Sequence, residues 1–303
     1  MIKVNKRYYI IISILVLFLV VNIINMLLRE NNIDISEEDR VLDVGQIGYG
    51  VYNDEGNIID NGSTILDLSS SINHIVGIEQ NLPAEREYLL LVLLDFKQVS
   101  FYVDDKVHDK YKICLKGKDS YKIDLSLNVP ENSKELAYII IKMPDYKIKP
   151  GELAKAHSLQ EVLSLRFRLS EKEEIINYET KYQKSAEKPL DNIFISKKED
   201  VLKMEYIVES GSLQKLTLGN YRPQKIDYGL IAFLDWEQVN IDNSEVKFYS
   251  VEEGGRVFFD VEMPQVTESS NYQILAFPYP YKVERTNFES SYVFGSHRLH
   301  IKP

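Results

Sequence analysis

An internal repeat limits the folds open to this chain more than any other feature of its sequence. The stretch that begins at Tyr88 (YLLLVLLDFKQV) returns 140 residues later, beginning at Tyr228, as YGLIAFLDWEQV. Six of the twelve positions are identical, and most of the others exchange one apolar residue for another. Solenoid repeats run to roughly 20–50 residues, so a period this long is typical of whole domains in tandem.

Three further segments match in the same order along the chain. They are Tyr121–Leu125 with Val257–Val261, Tyr138–Pro144 with Tyr272–Pro278, and Arg168-Leu169 with Arg298-Leu299. Their spacing falls from 140 to 136, 134 and 130 residues, as loop-sized deletions would produce. The sequence therefore predicts two copies of one domain, at 41–170 and 190–303. The charged segment 171–189 between them reads as a linker or as a weakly apolar helix, and Pro189 favours the linker because proline breaks helices.

Each copy consists of short apolar or alternating runs separated by turn sequences such as Asn61-Gly62. The predicted strands are Gly48–Tyr52, Asn57–Ile59, Leu89–Leu94, Tyr121–Leu127 and Leu136–Met143, then Val201–Val208, Leu230–Leu234, Val257–Met263 and Tyr272–Phe277. Leu89–Leu94 is apolar on both faces and should be central, whereas Tyr121–Leu127 alternates and should face water on one side. We expect a mainly β protein with two tandem, homologous antiparallel β-sandwich domains of the immunoglobulin-like kind.

The N-terminal region carries a long apolar run. Tyr8–Leu28 contains 21 residues without a charge, and a helix of that length spans about 30 Å, the hydrocarbon thickness of a bilayer. Cations precede it and acids follow, so the positive-inside rule places residues 1–7 in the cytoplasm and the domains outside. A cleaved signal peptide would have a shorter run and a small-residue cleavage site. We therefore expect an uncleaved transmembrane signal anchor over 8–28, followed by a stalk over 29–40.

Two polar residues interrupt the predicted membrane helix. Asn22 and Asn25 lie one turn apart, and asparagine side chains can hydrogen-bond between membrane helices. This spacing suggests a homo-oligomer joined through the two residues. The alternative is that Asn25 lies among the outer headgroups, and both interpretations stay open.

Charge and cysteine content exclude some classes of function. Beyond residue 28 the chain holds 33 basic and 46 acidic residues, and a surface this acidic disfavours nucleic acid. The single cysteine, Cys114, allows no intramolecular disulfide and no cysteine-based metal site. It lies on an alternating strand, opposite Ile113 and Leu115, with no adjacent histidine to activate it as a nucleophile.

No motif predicts a cofactor or a metal. The sequence contains no P-loop, no nucleophile elbow and no dinucleotide-binding fingerprint. Of the five histidines only His297 and His300 are close in sequence, and in a strand their three-residue spacing sends them to opposite faces. We expect no cofactor, no metal and no catalytic residues.

The best-marked polar positions are those that the repeat retains: Asp95 and Gln98 in the first copy, Asp235 and Gln238 in the second. In the structural interpretation each aspartate ends a buried strand and caps the turn through its own backbone, while the glutamine bridges to a neighbouring strand. In the alternative, they form equivalent sites for calcium or a ligand hydroxyl, although calcium prefers denser clusters of oxygen ligands. We favour the structural role.

Aromatic residues give the one lead towards a contact surface. Tyr279 and Tyr281 alternate with prolines after the last core strand of the second copy, and Trp236 begins the loop after its central strand. Prolines stop strand pairing, so these rings could be displayed as anchors for sugars or proteins. The alternative is a proline-rich turn that packs its rings against the domain.

These features favour a non-enzymatic, membrane-anchored extracytoplasmic module in the cell envelope, acting in assembly, adhesion or a surface or secretion complex. A protein partner in the envelope is expected. The second hypothesis is a polysaccharide- or cell-wall-binding protein that uses Trp236, Tyr279 and Tyr281. The third is a hydrolase whose carboxylates carry no sequence signal.

Overall fold

The computed structural model describes residues 46–65, 71–172, 174–180, 183–184, 193–198 and 203–303. The predicted tail (1–7), membrane helix (8–28) and stalk (29–40), with Asn22 and Asn25, lie outside the described residues. Within the described ranges, no helix combines the length and the hydropathy needed to cross a bilayer.

The first half, residues 46–172, forms two antiparallel sheets. Its strands are β1 (Gln46–Tyr52), β2 (Ile58–Ile59), β3 (Ser71–Asn81), β4 (Arg86–Leu94), β5 (Lys97–Gln98), β6 (Phe101–Val103), β7 (Lys106–His108), β8 (Tyr111–Leu115), β9 (Lys118–Asn128), β10 (Glu135–Lys142) and β11 (Leu163–Arg168), with helix α1 (Leu153–Gln160) before β11. The first outer sheet has the order β2-β1-β3-β9-β6-β7. The first inner sheet has the order β11-β10-β4-β5, with β8 also paired to β4.

The second half, residues 193–303 together with the short strand at 183–184, also forms two sheets. Its strands are β13 (Ile193–Ser196), β14 (Ile207–Glu209), β15 (Leu213–Gly219), β16 (Ile226–Leu234), β17 (Glu237–Val239), β18 (Lys247–Val251), β19 (Gly255–Glu262), β20 (Ser270–Pro278), β21 (Phe294–Gly295) and β22 (Leu299–Lys302), with helix α2 (Phe288–Ser291). The second outer sheet has the order β12-β19-β15-β13, where β12 is Gln183–Lys184. The second inner sheet has the order β14-β22-β20-β16-β17, with β18 and β21 at its sides, and β14 pairs with β22 in parallel.

Each half closes its own core between its outer and inner sheets. In β4 the side chains of Tyr88, Leu90 and Val92 enter the first core, and β9 adds a buried residue at every second position of its C-terminal part. Tyr228 and Leu230 of β16 occupy the second core in the same way. The predicted water-facing side of β9 is confirmed, since most of its alternate residues are exposed.

A third core lies between the two inner sheets and explains why β4 is apolar on both faces. The β4 residues that point away from the first core, such as Leu91, pack against Ile231 of β16 and Leu275 of β20. All these side chains are fully buried. The central position predicted for Leu89–Leu94 is confirmed by the sheet order. We call this contact surface between the inner sheets the seam.

The strand ladders of the two halves correspond, with two corrections to the sequence matches. Tyr121 pairs with Ile78 in the first half, and Val257 pairs with Leu218 at the equivalent place in the second half. The second match therefore agrees with the strand register. The third match is two residues out of step. Leu94 pairs with Leu136 and Leu234 pairs with Tyr272, so Leu136 occupies the place of Tyr272. A slip of two residues keeps every side chain on the same face, which is why the apolar pattern could not detect it.

The fourth match is corrected by the seam contacts. Arg166, and not Arg168, corresponds to Arg298. Nη1 of Arg166 donates to the carbonyl of Pro278 at 2.8 Å, and Nη2 of Arg298 donates to that of Lys142 at 2.9 Å. These two acceptors lie at matching places, since Lys142 pairs with Tyr88 and Pro278 with Tyr228.

Two further stretches differ from expectation. Residues 203–206 form no strand, so of the predicted strand Val201–Val208 only the end is confirmed, as part of β14. In the segment 171–189, residues 174–180 form no helix, and Glu179 forms a parallel bridge with Tyr249 of β18. This part of the predicted linker is held against the second inner sheet.

Candidate functional site

The seam contains most of the residues that the repeat singles out, and its centre is a reciprocal exchange between two glutamines. The backbone N–H of Gln98 donates to Oε1 of Gln238 at 2.6 Å, and that of Gln238 donates to Oε1 of Gln98 at 2.8 Å. Each side-chain amide also donates to a backbone carbonyl of the other half: Nε2 of Gln98 to Trp236, and Nε2 of Gln238 to Phe96. The glutamines bridge the two halves, whereas the sequence interpretation had each bridging to a neighbouring strand.

The repeated aspartates lie at the turns that follow β4 and β16. Asp95 and Asp235 have positive φ angles, 51° and 45°, the left-handed conformation that aspartate tolerates better than most residues. Oδ1 of Asp95 accepts the backbone N–H groups of Lys134 and Glu135, and Oδ1 of Asp235 accepts that of Asn271. Each carboxylate thus ties its turn to the start of the next inner strand, rather than capping through its own turn.

A buried ion pair of the first half lies at the seam. Nε of Arg166 donates to Oε1 of Glu135 at 2.7 Å, and both side chains are at most 1% exposed. The second carboxylate oxygen of Glu135 accepts the backbone N–H of Tyr281 at 2.7 Å, from the other half. Burial raises the pKa of Glu135, and the charge of Arg166 opposes that shift.

On the second side of the seam, the buried arginine is Arg298, and its hydrogen-bond acceptors are uncharged. Arg298 donates to the carbonyls of Met143 and Lys142, and its guanidinium lies 4.7 Å from the centre of the Trp236 ring. Burial lowers the pKa of Arg298 to about 9. Sequence reasoning missed Arg166 and Glu135. Their only signal is a charged residue within an apolar strand, such as LSLRFR at Leu163–Arg168.

Of the three predicted aromatic contact residues, Trp236 and Tyr281 lie at the seam, and Tyr279 packs against the second core. Trp236 is 4% exposed, and its indole N–H donates to the carbonyl of Pro144 at 2.9 Å. The ring of Tyr281 packs edge-on against Phe96, with ring centres 5.0 Å apart. Tyr279 is half-buried and accepts a hydrogen bond from Gln224 through its hydroxyl. The structure does not bring the three rings together on an exposed face.

Of the two histidines that are close in sequence, His300 lies on β22, whereas His297 precedes that strand and is not part of it. His297 is buried and its Nε2 lies 3.1 Å from the carbonyl oxygen of Glu205, while Nδ1 of His300 lies 3.2 Å from that of Ile148. Across the part of the chain that the structure describes, no group of three or more His, Cys, Asp or Glu side chains is placed to hold a metal ion. Cys114 is exposed on β8, opposite the buried Ile113 and Leu115.

No family model and no curated protein matches the sequence. Among solved structures, the C-terminal domain of the Streptococcus pyogenes antigen I/II-family protein AspA is similar over 86% of this chain and 100% of its own, at 9% identity and a TM-score of 0.27. The Streptococcus agalactiae AgI/II polypeptide BspA C-terminal domain is similar over 85% of this chain and 100% of its own length, at 10% identity and a TM-score of 0.23. A red sea bream transglutaminase covers 89% of this chain at 7% identity and a TM-score of 0.23, and the matched region spans 33% of its length. Identities and TM-scores this low transfer no function.

Proposed function

We propose that this protein is a membrane-anchored, extracytoplasmic and non-enzymatic interaction module of the cell envelope. Its two halves would be homologous immunoglobulin-like sandwich domains, fixed at the seam as a rigid scaffold. The charge-free run Tyr8–Leu28 and the three basic residues that precede it support this placement. A protein partner in the envelope would bind the surface of this scaffold.

One observation carries the non-enzymatic part of the proposal. The buried ionisable side chains of the seam are bonded to each other or to backbone groups: Glu135 with Arg166, and Arg298 with two carbonyls. A general acid or base must lie within hydrogen-bond reach of its substrate. These charges are committed to joining the halves and are closed off from any substrate.

The sandwich topology supports the immunoglobulin-like assignment. In the first half, β1, β3, β9 and β6 lie side by side in one sheet, and β11, β10 and β4 in the other. This is the division of strands into an ABED and a GFC sheet that characterises immunoglobulin domains. In both halves a short segment also pairs in parallel with the last strand, at Thr64 with Arg168 and at β14 with β22.

The single cysteine provides a direct test of the membrane placement. Cys114 is exposed, and its thiol donates a hydrogen bond to Glu85 that raises its pKa, so labelling is best carried out above neutral pH. Intact spheroplasts that express the full chain are treated with a membrane-impermeant maleimide. We expect Cys114 to be labelled without lysis, and the protein to stay in the membrane fraction after alkaline extraction.

Two variants make this experiment self-controlled. Cys114→Ser should abolish labelling, because no other cysteine is present. Ile2→Cys in the Cys114→Ser background places a thiol in the predicted cytoplasmic tail, and should react only after lysis. Labelling of Cys114 only after lysis, or release of the protein by alkaline extraction, would contradict the proposed placement.

A further inference from the structure

A cavity of about 400 Å³ opens beside the seam, and both halves contribute its walls. The first half supplies Lys142 at the end of β10 together with the end of α1 and Glu161. The second half supplies Ile193 of β13 and the segment 292–295, which follows α2. The volume lies within the range of small-molecule sites, roughly 300–1,000 Å³. Because its walls come from both halves, the cavity exists only while the halves are packed together.

The charged groups of the cavity neutralise each other. Nζ of Lys142 lies 2.6 Å from Oε2 of Glu161, and the lysine side chain is 6% exposed whereas the glutamate side chain is 53% exposed. The cation is thus held in the wall, and the carboxylate faces the solvent. A charged ligand would have to compete with an ion pair that Lys142 and Glu161 already form with each other. The cavity therefore favours a neutral ligand.

Two aromatic rings lie on the side of the cavity that belongs to the second half. The rings of Tyr292 and Phe294 have centres 5.1 Å apart, and both are half-buried. Phe288 lies 6.2 Å from Tyr292 and is 75% exposed. Burial and the charge of Glu161 raise the pKa of Tyr292, so its hydroxyl stays protonated and can donate a hydrogen bond.

The backbone of the cavity is fixed by a close approach between the halves. A Cβ atom at Gly295 would lie 2.2 Å from the carbonyl oxygen of Gln160, so only glycine fits there. Gln273 secures the same contact, since its Nε2 donates to the carbonyls of Gln160 and Ser296 at 3.2 Å and 2.7 Å. The cavity is therefore preformed, and a ligand would not have to order its walls.

We propose that this cavity binds a neutral sugar residue of a glycan. A sugar ring has apolar C–H faces that can stack on Tyr292 and Phe294, and hydroxyl groups that can bond to polar side chains at the same time. Glu161 and the exposed His157 and Ser158 provide those polar groups at the rim. This mixture of rings and hydrogen-bonding groups is typical of ligand sites in which a few polar groups fix the orientation.

This site goes beyond the proposed scaffold function and differs from the surface predicted at Trp236, Tyr279 and Tyr281. It does not depend on the membrane anchor. Loss of sugar binding would leave the labelling of Cys114 unchanged, and a cytoplasmic location would leave sugar binding by the purified protein unchanged. The two proposals therefore fail separately.

The test is saturation-transfer NMR on the full chain, purified in a detergent that contains no sugar. The probes are glucose, galactose, mannose and N-acetylglucosamine, with glucuronate as the charged counterpart of glucose. We expect at least one neutral sugar to receive saturation, with a dissociation constant on the order of 1 mM because one sugar ring buries little surface. Absence of transfer to all four neutral sugars would overturn the proposal, as would stronger transfer to glucuronate than to every neutral sugar.

Variants then locate the site. Tyr292→Ala should weaken binding about tenfold through loss of the stacking ring. Ser158→Trp should block the mouth of the cavity without touching a core, since Ser158 is exposed. Tyr102→Ala removes an exposed tyrosine from the first outer sheet and is the matched control, with no expected effect. Unchanged binding in both Tyr292→Ala and Ser158→Trp would place the sugar elsewhere and refute the assignment.

A charge substitution tests the ligand class. Glu161→Gln keeps the shape of the side chain but leaves the cation of Lys142 without its partner. The variant should bind glucuronate more tightly than glucose, reversing the order expected for the natural protein. An unchanged order would contradict the role assigned to the ion pair.

Discussion

In the first half of the molecule a buried carboxylate, Glu135, neutralises the arginine that crosses the seam. In the second half Asn271 takes the place of Glu135, and Arg298 has no carboxylate partner among the described residues. Arg298 is held instead by two carbonyls and by the face of Trp236. The same backbone geometry is thus reached with an ion pair on one side and with neutral groups on the other. The fold of the seam therefore does not require the ion pair, although the charge of each arginine must still be accommodated.

The largest expected effect separates the two arginines. Arg166→Met leaves the carboxylate of Glu135 buried without its partner, and should lower the free energy of unfolding by about 3–5 kcal/mol. Arg298→Met leaves only carbonyl acceptors unsatisfied, and should lower it by about 2 kcal/mol. Urea unfolding of both variants measures the difference.

A double variant serves as the control for this comparison. Glu135→Gln combined with Arg166→Met removes the buried charge as well as its partner, and should recover part of the loss caused by Arg166→Met alone. Equal losses for the two single variants, or no recovery in the double variant, would contradict the assigned electrostatic difference.

The next largest effect is a loss of stability at low pH, to which one buried histidine in each half contributes. Nδ1 of His74 lies 2.8 Å from the hydroxyl oxygen of Tyr138, and Nε2 of His297 lies 3.1 Å from a carbonyl oxygen. Burial lowers the pKa of each histidine to about 4. Below the ordinary pKa of 6.5 the unfolded chain takes up protons that the folded protein does not, so stability is complete above pH 6.5 and is lost as the pH falls towards 4.

Between pH 7 and pH 5 each histidine should cost about 2 kcal/mol of unfolding free energy. Urea unfolding at several pH values measures the slope. His74→Gln and His297→Gln should each reduce it by a similar amount. A slope that neither substitution changes would show that other groups cause the acid sensitivity.

The smallest expected effect is the loss of stability when either glutamine at the centre of the seam is replaced. Gln98→Ala and Gln238→Ala remove equivalent bonds, and each should lower the free energy of unfolding by about 1–2 kcal/mol. A double-mutant cycle should give a coupling energy of about 1 kcal/mol, since each side chain accepts the backbone N–H of the other residue. Gln46→Ala, at an exposed strand end, is the control. Additive losses would show that the exchange is not cooperative.

The repeat and the alternating runs were enough to predict two β-built halves, because strand periodicity and turn residues are local signals. The double apolar face of Leu89–Leu94 also carried the signal of the seam, but a central strand in a single sandwich has the same pattern. The two-residue slip at Tyr272 could not be seen, since it preserves the alternation.

The site was less accessible to prediction from sequence. Gln98 and Gln238 were predicted to bridge to a neighbouring strand, but each bonds to the other, 140 residues away in the chain. Trp236 and Tyr281 are covered by a carbonyl and a ring of the opposite half. No local sequence pattern could predict those contacts. The cavity beside the seam combines Glu161 with Tyr292, and only the packing of the halves brings these residues together.

The most direct test of the seam uses the single tryptophan of the chain. Trp236 lies at the seam, so its fluorescence reports separation of the halves, while far-UV circular dichroism reports the strands of both. In a urea titration of the full chain we predict that the two signals change together in one transition. A shift of Trp236 emission to the solvent-exposed value at lower urea, with the strand signal intact, would show that the halves separate while folded and would contradict the account.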